Sequence, residues 1–239
     1  GIQASAGQIT VGGNVSGYKR FSLGGTNKIT LTGKNVKVVM DDSQNCFGEF
    51  SYAGNDISWS GYLGISTLDN ALNIKGDKFV ITGLQQGEHS VDINGNTTIS
   101  GNWDFSKGKV TIDGNLKHTG GTVKCGGETL PVKGDFTDAG GYTDMNGVNI
   151  TVNGDLNQTD GRILMNGGKL DITGNCNLAG KGTDSNGNVS WQGVCGDIEM
   201  RNAGDTLNIG KDFVVYGIYG SDGIQASAGQ ITVGGNVSG

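Results

Sequence analysis

The chain has 239 residues, a formal net charge of −6 at pH 7, 46 glycines and one proline. This composition is not basic enough for a nucleic-acid groove, not charged enough for a disordered chain, and lacks the proline content and three-residue period of collagen. No run approaches the ~18 apolar residues of a membrane-spanning helix, and the first residues lack the layout of a signal peptide. Any export signal is therefore expected outside this chain.

The two ends of the chain carry the same sequence. GIQASAGQITVGGNVSG occupies Gly1–Gly17 and recurs without a change at Gly223–Gly239. A tandem repeat predicts this arrangement, with residues 1–222 as one full unit and residues 223–239 as the first coil of the next identical unit. The alternative is a chain cut to overlap its neighbour, which leaves the underlying polymer the same.

A short phrase recurs along the chain at a nearly constant spacing. Its clearest copies are KVTIDGNL, TLPVKGDF, NITVNGDL and KLDITGNC, which begin at Lys109, Thr129, Asn149 and Lys169. Two apolar residues two apart indicate a strand with one buried face, and Gly followed by Asn or Asp favours a corner with a positive φ. In chain order, the predicted corners are Gly13, Gly33, Gly54, Gly76, Gly95, Gly114, Gly134, Gly154, Gly174, a shifted Lys211 and Gly235.

The corners also give the number of coils. The interval from Gly174 to Lys211 is almost twice as long as most of the others, which predicts one further coil with a bulged loop around Val189 to Met200. With that coil included, a fixed repeat too short to form its own core predicts a solenoid of 11 coils, about 20 residues each, per 222-residue unit.

Two more strands are predicted in most coils, one before the phrase and one after its corner. Three short strands and three turns make a three-sided coil, so we predict an all-β fold, a parallel β-solenoid (β-helix) without helices. Coils stacked at ~4.8 Å give about 50 Å of rod per unit. Left-handed solenoids usually show a six-residue aliphatic-Gly period, which is absent, so the right-handed form is favoured. The preceding strands hold Phe21/Leu23, Trp103/Phe105, Val123/Cys125, Ile163/Met165 and Ile198/Met200, and the following strands hold Leu116, Phe136, Leu156, Cys176 and Phe213.

The phrases GNLKHTGGTV and GDLNQTDGRILMNGGKLDITGN resemble the short repeats of filamentous-haemagglutinin-type exoproteins and other giant bacterial surface proteins. In those proteins Gly-Asn-Leu and Gly-Asp-Leu coils build a right-handed β-helical shaft. The resemblance implies an extracellular fibre or adhesin shaft at the cell surface. It transfers no catalytic residue, and it does not require the long repeat that the identical ends indicate.

Residues for catalysis are few. The only histidines are His89 and His118, and no Ser or Cys lies in a nucleophile-elbow motif. The sequence therefore offers few residues that could act as a nucleophile and its general base. His118 follows a corner and is expected to face solvent. A polysaccharide-degrading β-helix needs clustered carboxylates, whereas Asp41–Asp42 is the only adjacent acidic pair. Arg20, Arg162 and Arg201 are scattered in sequence, although stacking could bring distant residues together. We predict no enzyme activity and no cofactor.

The four cysteines, Cys46, Cys125, Cys176 and Cys195, show no C-x-x-C metal spacing. Cys125 and Cys176 occupy positions that hold apolar residues in other coils, which predicts buried rungs of the core. The alternative is a disulfide between Cys176 and Cys195, which lie about one coil apart, because oxidation is permitted in an extracellular protein.

Two further patterns carry weak indications of a ligand. In KGTDSNGN, Asp184 and Asn186 stand at alternate positions, but they supply only a fragment of a calcium loop, and a plain exposed turn is favoured. Trp59, Trp103 and Trp191 lie at apolar strand positions, where core filling is the simplest interpretation. An exposed aromatic row would instead indicate carbohydrate stacking.

The hypothesis that follows is structural. We expect a tandem repeat of a secreted or cell-surface bacterial fibre, an adhesin-type shaft that stacks end to end into a filament. Its expected partner is itself, with host or matrix glycans as further partners, and neither nucleic acid nor a membrane span is expected. The alternatives are a glycan-binding adhesin module that uses a solenoid flank and a polysaccharide-degrading β-helix enzyme.

Overall fold

The alternating apolar positions form strands that stack in parallel, and the computed structural model is an all-β parallel β-solenoid with about 20 residues per turn. The described backbone comprises residues 2–3, 6–17, 21–32, 36–40, 46–52, 57–68, 72–127, 129–179, 182–183, 189–190, 196–216 and 223–239. Side chains are described at residues 6–15, 29–32, 80–127, 129–178, 196–216 and 223–239. These ranges contain strands and turns and no helix, as predicted.

The described backbone contains 27 strands. They are β1 (Ile2–Gln3), β2 (Ala6–Val11), β3 (Val15–Gly17), β4 (Phe21–Leu31), β5 (Val36–Met40), β6 (Cys46–Tyr52), β7 (Ile57–Leu68), β8 (Leu72–Gln85), β9 (Ser90–Asn94), β10 (Thr97–Asp104), β11 (Lys109–Ile112), β12 (Leu116–His118), β13 (Thr122–Lys124), β14 (Thr129–Val132), β15 (Phe136–Asp144), β16 (Asn149–Val152), β17 (Leu156–Leu164), β18 (Lys169–Ile172), β19 (Cys176–Ala179), β20 (Gly182–Thr183), β21 (Val189–Ser190), β22 (Asp197–Met200), β23 (Thr206–Ile209), β24 (Phe213–Tyr216), β25 (Gly223–Ala226), β26 (Gln230–Val233) and β27 (Val237–Ser238).

One side of the solenoid, here called the first ladder, is unbroken from Leu72 to Val233. Its strands are the start of β8, then β9, β11, β14, β16, β18, β23 and β26, each paired in parallel with the next. In β11, β14, β16, β18 and β23 the two apolar residues are buried and the residue between them is partly exposed. These steps correspond to about seven turns.

The other two sides follow the predicted order along the chain. In the second ladder, Val123 pairs with Trp103 and, along later coils, Ile163 pairs with Ile198 and Ile198 with Ile224. In the third ladder, Leu116, Phe136, Leu156, Cys176, Phe213 and Val237 stack in register. Each coil is therefore three-sided, and its third and second sides join into one long strand in β10, β15 and β17.

The extra coil predicted around Val189 to Met200 is wrong. The first ladder passes directly from Leu170 to Leu207, and the third passes directly from Cys176 to Phe213. The additional residues of this interval are an insertion between β19 and β22, where β20 and β21 form their own antiparallel pair. Because both flanking ladders keep their register, a longer interval in the sequence does not add a rung to the stack.

The part of the chain up to the end of β8 is less regular than the repeat predicts. Strands β4, β7 and β8 contain 11, 12 and 14 residues, and pairing shifts register between Leu23 and Lys28 and again within the β7–β8 pair. Gly76, a predicted corner, lies inside β8. A glycine permits a corner but does not force one, so parallel pairing can carry the strand through it. The solenoid has about seven turns instead of 11 coils.

The interior is a set of stacked apolar side chains. Leu130, Ile150, Leu170 and Leu207 lie directly above one another and are all buried. On another side of the same core, the rings of Trp103 and Phe105 pack with centroids 5.2 Å apart. Burial of each such side chain contributes about 1.5–3 kcal/mol, so the column is held together mainly by contacts between successive coils.

Candidate functional site

The corners of successive coils are joined by a column of side chains, here called the corner ladder. From Asn96 to Asp212, each Asn or Asp that follows a corner residue accepts, through Oδ1, a hydrogen bond from the backbone N–H of the equivalent residue one coil later. The six bonds measure 2.7–3.2 Å and link Asn96, Asn115, Asp135, Asp155, Asn175, Asp212 and Asn236. The ladder therefore follows the stack from β10 to the last described coil.

The corner positions require glycine mainly because a side chain would not fit there, and less because the backbone adopts a positive φ. Gly114, Gly134, Gly154 and Gly174 are not in the left-handed region, contrary to the prediction, and among the described corner glycines only Gly95 has a positive φ, of 150°. A Cβ at Gly134, Gly154 or Gly174 would overlap Oδ1 of the corner-ladder residue in the preceding coil. The glycine thus leaves room for the Asn or Asp side chain of the preceding coil, and that side chain makes the hydrogen bond between the two coils.

The predicted corner residues are placed as follows. Bends occur at Gly13, Gly95, Gly114, Gly134, Gly154, Gly174, Lys211 and Gly235. Gly76 lies within β8, and Gly33 and Gly54 lie outside the described residues.

The two identical segments occupy opposite positions in their stacks. Residues 1–17 pair with the strands that follow them, β1 and β2 with β4 and β3 with β5. Residues 223–239 pair with the strands that precede them, β25 with β22, β26 with β23 and β27 with β24. One sequence therefore forms a coil that can be stacked from either side.

The third ladder also contains a column of buried polar residues that the sequence patterns above did not predict. His118, Asp138 and Gln158 are stacked in register, and all three are buried, so the prediction that His118 faces solvent is wrong. Asp138 Oδ2 accepts a hydrogen bond from Gln158 Nε2 at 3.1 Å, and Asp138 Oδ1 lies 3.5 Å from His118 Nδ1. Each residue stands two positions after the buried apolar residue of its strand, so the period-two alternation was a usable signal.

Burial changes the protonation of this column. Desolvation raises the pKa of Asp138 to about 8. Desolvation also lowers the pKa of His118, although hydrogen bonds to the carbonyls of Gly120 and Gly121 partly oppose that shift. Near neutral pH the pair is therefore an uncharged imidazole beside a carboxylic acid. Such a pair can exchange hydrogen bonds without the cost of an isolated buried charge.

A second charged group is assembled by stacking. Glu199, whose side chain is 2% exposed, is paired with Arg162 from the preceding coil and with Arg201 at 2.6 Å. Two of the three scattered arginines are thus brought together, whereas Arg20 lies outside the described residues. The acidic pair Asp41–Asp42 also lies outside the described residues.

The cysteines of the core behave as rungs. Cys125 and Cys176 are buried free thiols, and desolvation raises the pKa of Cys176 to about 12. Cys195 lies outside the described residues, so the bridge between Cys176 and Cys195 stays a prediction. Cys46 belongs to β6, where only the backbone is described.

The weak ligand candidates do not gather into a site. Asp184 and Asn186 lie outside the described residues, and within the described part of the chain no three His, Cys, Asp or Glu side chains converge as a metal site. Trp103 is 1% exposed and fills the core, while the side chains of Trp59 and Trp191 are not among those described. In the described residues no helix is long and apolar enough to cross a membrane.

Comparison with known proteins returns no match to a family model, a curated protein or a solved structure. The candidate functional features therefore come from the chain's own geometry: the corner ladder and the coil that each of the two identical segments forms.

Proposed function

We propose that this chain is a structural repeat of a secreted or cell-surface bacterial fibre, with the solenoid as its shaft. The observation that carries the proposal is the identical segment at residues 1–17 and 223–239, which forms a coil in both places and pairs on opposite sides. A coil that accepts neighbours on both sides allows one unit to continue into the next. The resemblance to giant bacterial surface proteins supports the location and the right-handed winding.

In this proposal the solenoid acts as a shaft that bears mechanical load along its axis. From Asn96 onward, successive coils are held together by parallel backbone hydrogen bonds on three sides, by the corner ladder and by the stacked apolar core. A load along the axis is shared among these contacts. About seven turns spaced at ~4.8 Å give the solenoid roughly 35 Å of length along its axis.

Electron microscopy of the native material tests the proposal. We expect thin unbranched filaments with an axial repeat of roughly 35 Å, which is about seven turns at ~4.8 Å. Isolated globular particles at high protein concentration would contradict an end-to-end shaft. Fibre diffraction provides a second measurement, because stacked parallel coils require a meridional reflection at ~4.8 Å.

A further inference from the structure

Two turns of the solenoid, one coil apart, share the sequence Met-Asn-Gly and the same shape. The turns at residues 145–148 and 165–168 are each closed by a hydrogen bond from the last N–H to the first carbonyl, at 2.8 and 2.9 Å. Asn146 and Asn166 are both exposed, with φ values of 48° and 51°, and the glycine after each also has a positive φ. Asn and Gly tolerate this left-handed conformation. The turns are therefore a matched pair, and their contacts with neighbouring coils can be compared directly.

The turn at Asn166 is held by two carboxylates. Asn166 Nδ2 donates to Asp144 Oδ1 at 2.9 Å, and the N–H of Gly167 donates to Asp205 Oδ1 at 2.5 Å. Asp205 is buried, and its Oδ2 accepts a second hydrogen bond from the N–H of Asn202, which fixes the carboxylate in place. Hydrogen bonds to a carboxylate are stronger than those to a neutral acceptor. Both the side-chain amide of Asn166 and the nitrogen of Gly167 are thus restrained.

The same two groups are weakly held in the turn at Asn146. Asn146 Nδ2 donates to the carbonyl of Cys125 at 3.4 Å, and the N–H of Gly147 donates to the carbonyl of Met165 at 3.4 Å. Both distances exceed the range of about 2.7–3.2 Å that is usual for N–H···O bonds in proteins. The side-chain amide and the backbone nitrogen that follows it are therefore freer here than in the matched turn.

We propose that Asn146 is a site of spontaneous deamidation and that the two carboxylates protect Asn166. The backbone nitrogen of Gly147 attacks Cγ of Asn146. A bond forms between that nitrogen and Cγ, the Cγ–Nδ2 bond breaks, and the proton of the attacking nitrogen leaves with the amide group as ammonia. Water then opens the succinimide ring at either carbonyl, which gives aspartate or isoaspartate at position 146. No oxidation state changes, and water is the only co-reactant.

The remaining described Asn–Gly pairs are held by the stacking of coils. The N–H groups of Asn153 and Gly154 donate to carbonyls of the preceding coil, each at 3.0 Å. Asn94 is the last residue of β9 and pairs with Lys75 in β8. The glycine nitrogen must leave its acceptor before it can approach the Asn side chain, so a good hydrogen bond on that nitrogen slows the reaction. Asn146 is therefore expected to react first among the described pairs.

Conversion at Asn146 is compatible with the fold. Residue 146 lies in an exposed turn between β15 and β16, so the methylene that isoaspartate adds to the backbone does not enter a paired strand. The product adds one negative charge to a chain whose formal net charge is −6, beside Asp144, whose Oδ1 accepts the Asn146 N–H. The solenoid therefore gains negative charge at this turn as it ages. The inference does not rest on the proposed function, because it depends only on the surroundings of the two turns.

Peptide mapping of the full chain by mass spectrometry tests the proposal. The folded chain is incubated at body temperature and mildly alkaline pH, and each Asn is followed by the mass change that replacement of NH2 by OH produces. The same incubation in urea is the control, because unfolding removes the different surroundings of the two Met-Asn-Gly segments. We expect Asn146 to react at least about tenfold faster than Asn166 in the folded chain, and the two to react at similar rates in urea.

Equal rates at Asn146 and Asn166 in the folded chain would overturn the proposal, and so would a faster reaction at Asn94 or Asn153. An Asn146 that stays intact in the folded chain but reacts in urea would overturn it as well.

Asp205→Asn tests the protection of Asn166 separately. The variant leaves one oxygen for the N–H groups of Gly167 and Asn202, which the carboxylate binds through two. It should raise the rate at Asn166 several-fold and leave the rate at Asn146 unchanged. An unchanged rate at Asn166 would refute protection by Asp205. Circular dichroism checks that the variant folds, and the wild-type comparison decides the proposal without it.

Discussion

The buried carboxyl of Asp138 makes the stability of the solenoid depend on pH in an unusual direction. Its pKa is raised from 3.8 to about 8 by desolvation, so the folded chain holds a proton that the unfolded chain loses. The stability that this carboxyl contributes is complete below pH ~4 and is lost as the pH rises towards 8. At about 1.4 kcal/mol per unit of pKa, the loss is on the order of 5 kcal/mol.

Asp138→Asn tests this reasoning because it keeps the shape of the side chain and removes its titration. We expect the wild-type free energy of unfolding to fall by several kcal/mol relative to that of the Asn variant between pH 4.5 and pH 8, as ~1.4 kcal/mol per unit requires. The pKa of His118 is lowered by burial, so its contribution falls as the pH drops and acts in the opposite direction. Because His118 remains in both proteins, the difference between them isolates Asp138.

Urea unfolding followed by circular dichroism at several pH values measures the effect. Asp92→Asn, which alters an exposed carboxylate on the outer face of β9, is the matched control and should leave the pH profile unchanged. Carbon-13 NMR of the Asp138 carboxyl reports its titration directly. Parallel pH profiles for wild type and Asp138→Asn, or an Asp138 titration near pH 4 in the folded protein, would refute the reasoning.

Three further predictions concern the corner ladder and the thiols. Gly154→Ala should destabilise the fold by about 1–3 kcal/mol, because the added Cβ would overlap Asp135 Oδ1. Gly13→Ala is the control and should be neutral, because no atom lies within 4 Å of a Cβ at Gly13. Equal urea midpoints for the two variants would contradict this prediction. Asp155→Ala should cost about 1–2 kcal/mol, because it removes the acceptor 2.7 Å from the Asn175 N–H, while Asn153→Ala, at an exposed position, should cost little by the same measurement. The Cys176 thiol, buried with a pKa of about 12, should resist alkylation at pH 8 until the chain unfolds, and prompt labelling of native protein would show that it is not a core rung. Alkylation of the denatured, unreduced protein also tests the predicted bridge to Cys195, since four reactive thiols exclude it.

Much of the fold could be predicted because its signals are local. Strand alternation is a property of adjacent residues, and the Gly-Asn and Gly-Asp corners recur at a constant interval from Gly114 to Gly174. Those signals identified the parallel solenoid, the three sides of each coil and the positions of its regular bends. They also identified the two identical segments, whose equivalence needs no coordinates.

The tertiary structure decided everything that depends on which coil lies above which. Spacing alone could not show that the interval after Gly174 is an insertion, because an inserted loop and an inserted coil have the same length in sequence. The clash that excludes a Cβ at Gly154 comes from Asp135 in the coil before it, and Glu199 meets Arg162 only across the stack. The burial of His118 likewise follows from which face of the third ladder points inward. These contacts join residues that lie one or two coil lengths apart in the chain, where sequence pattern predicts a neighbouring coil but not the atoms that meet.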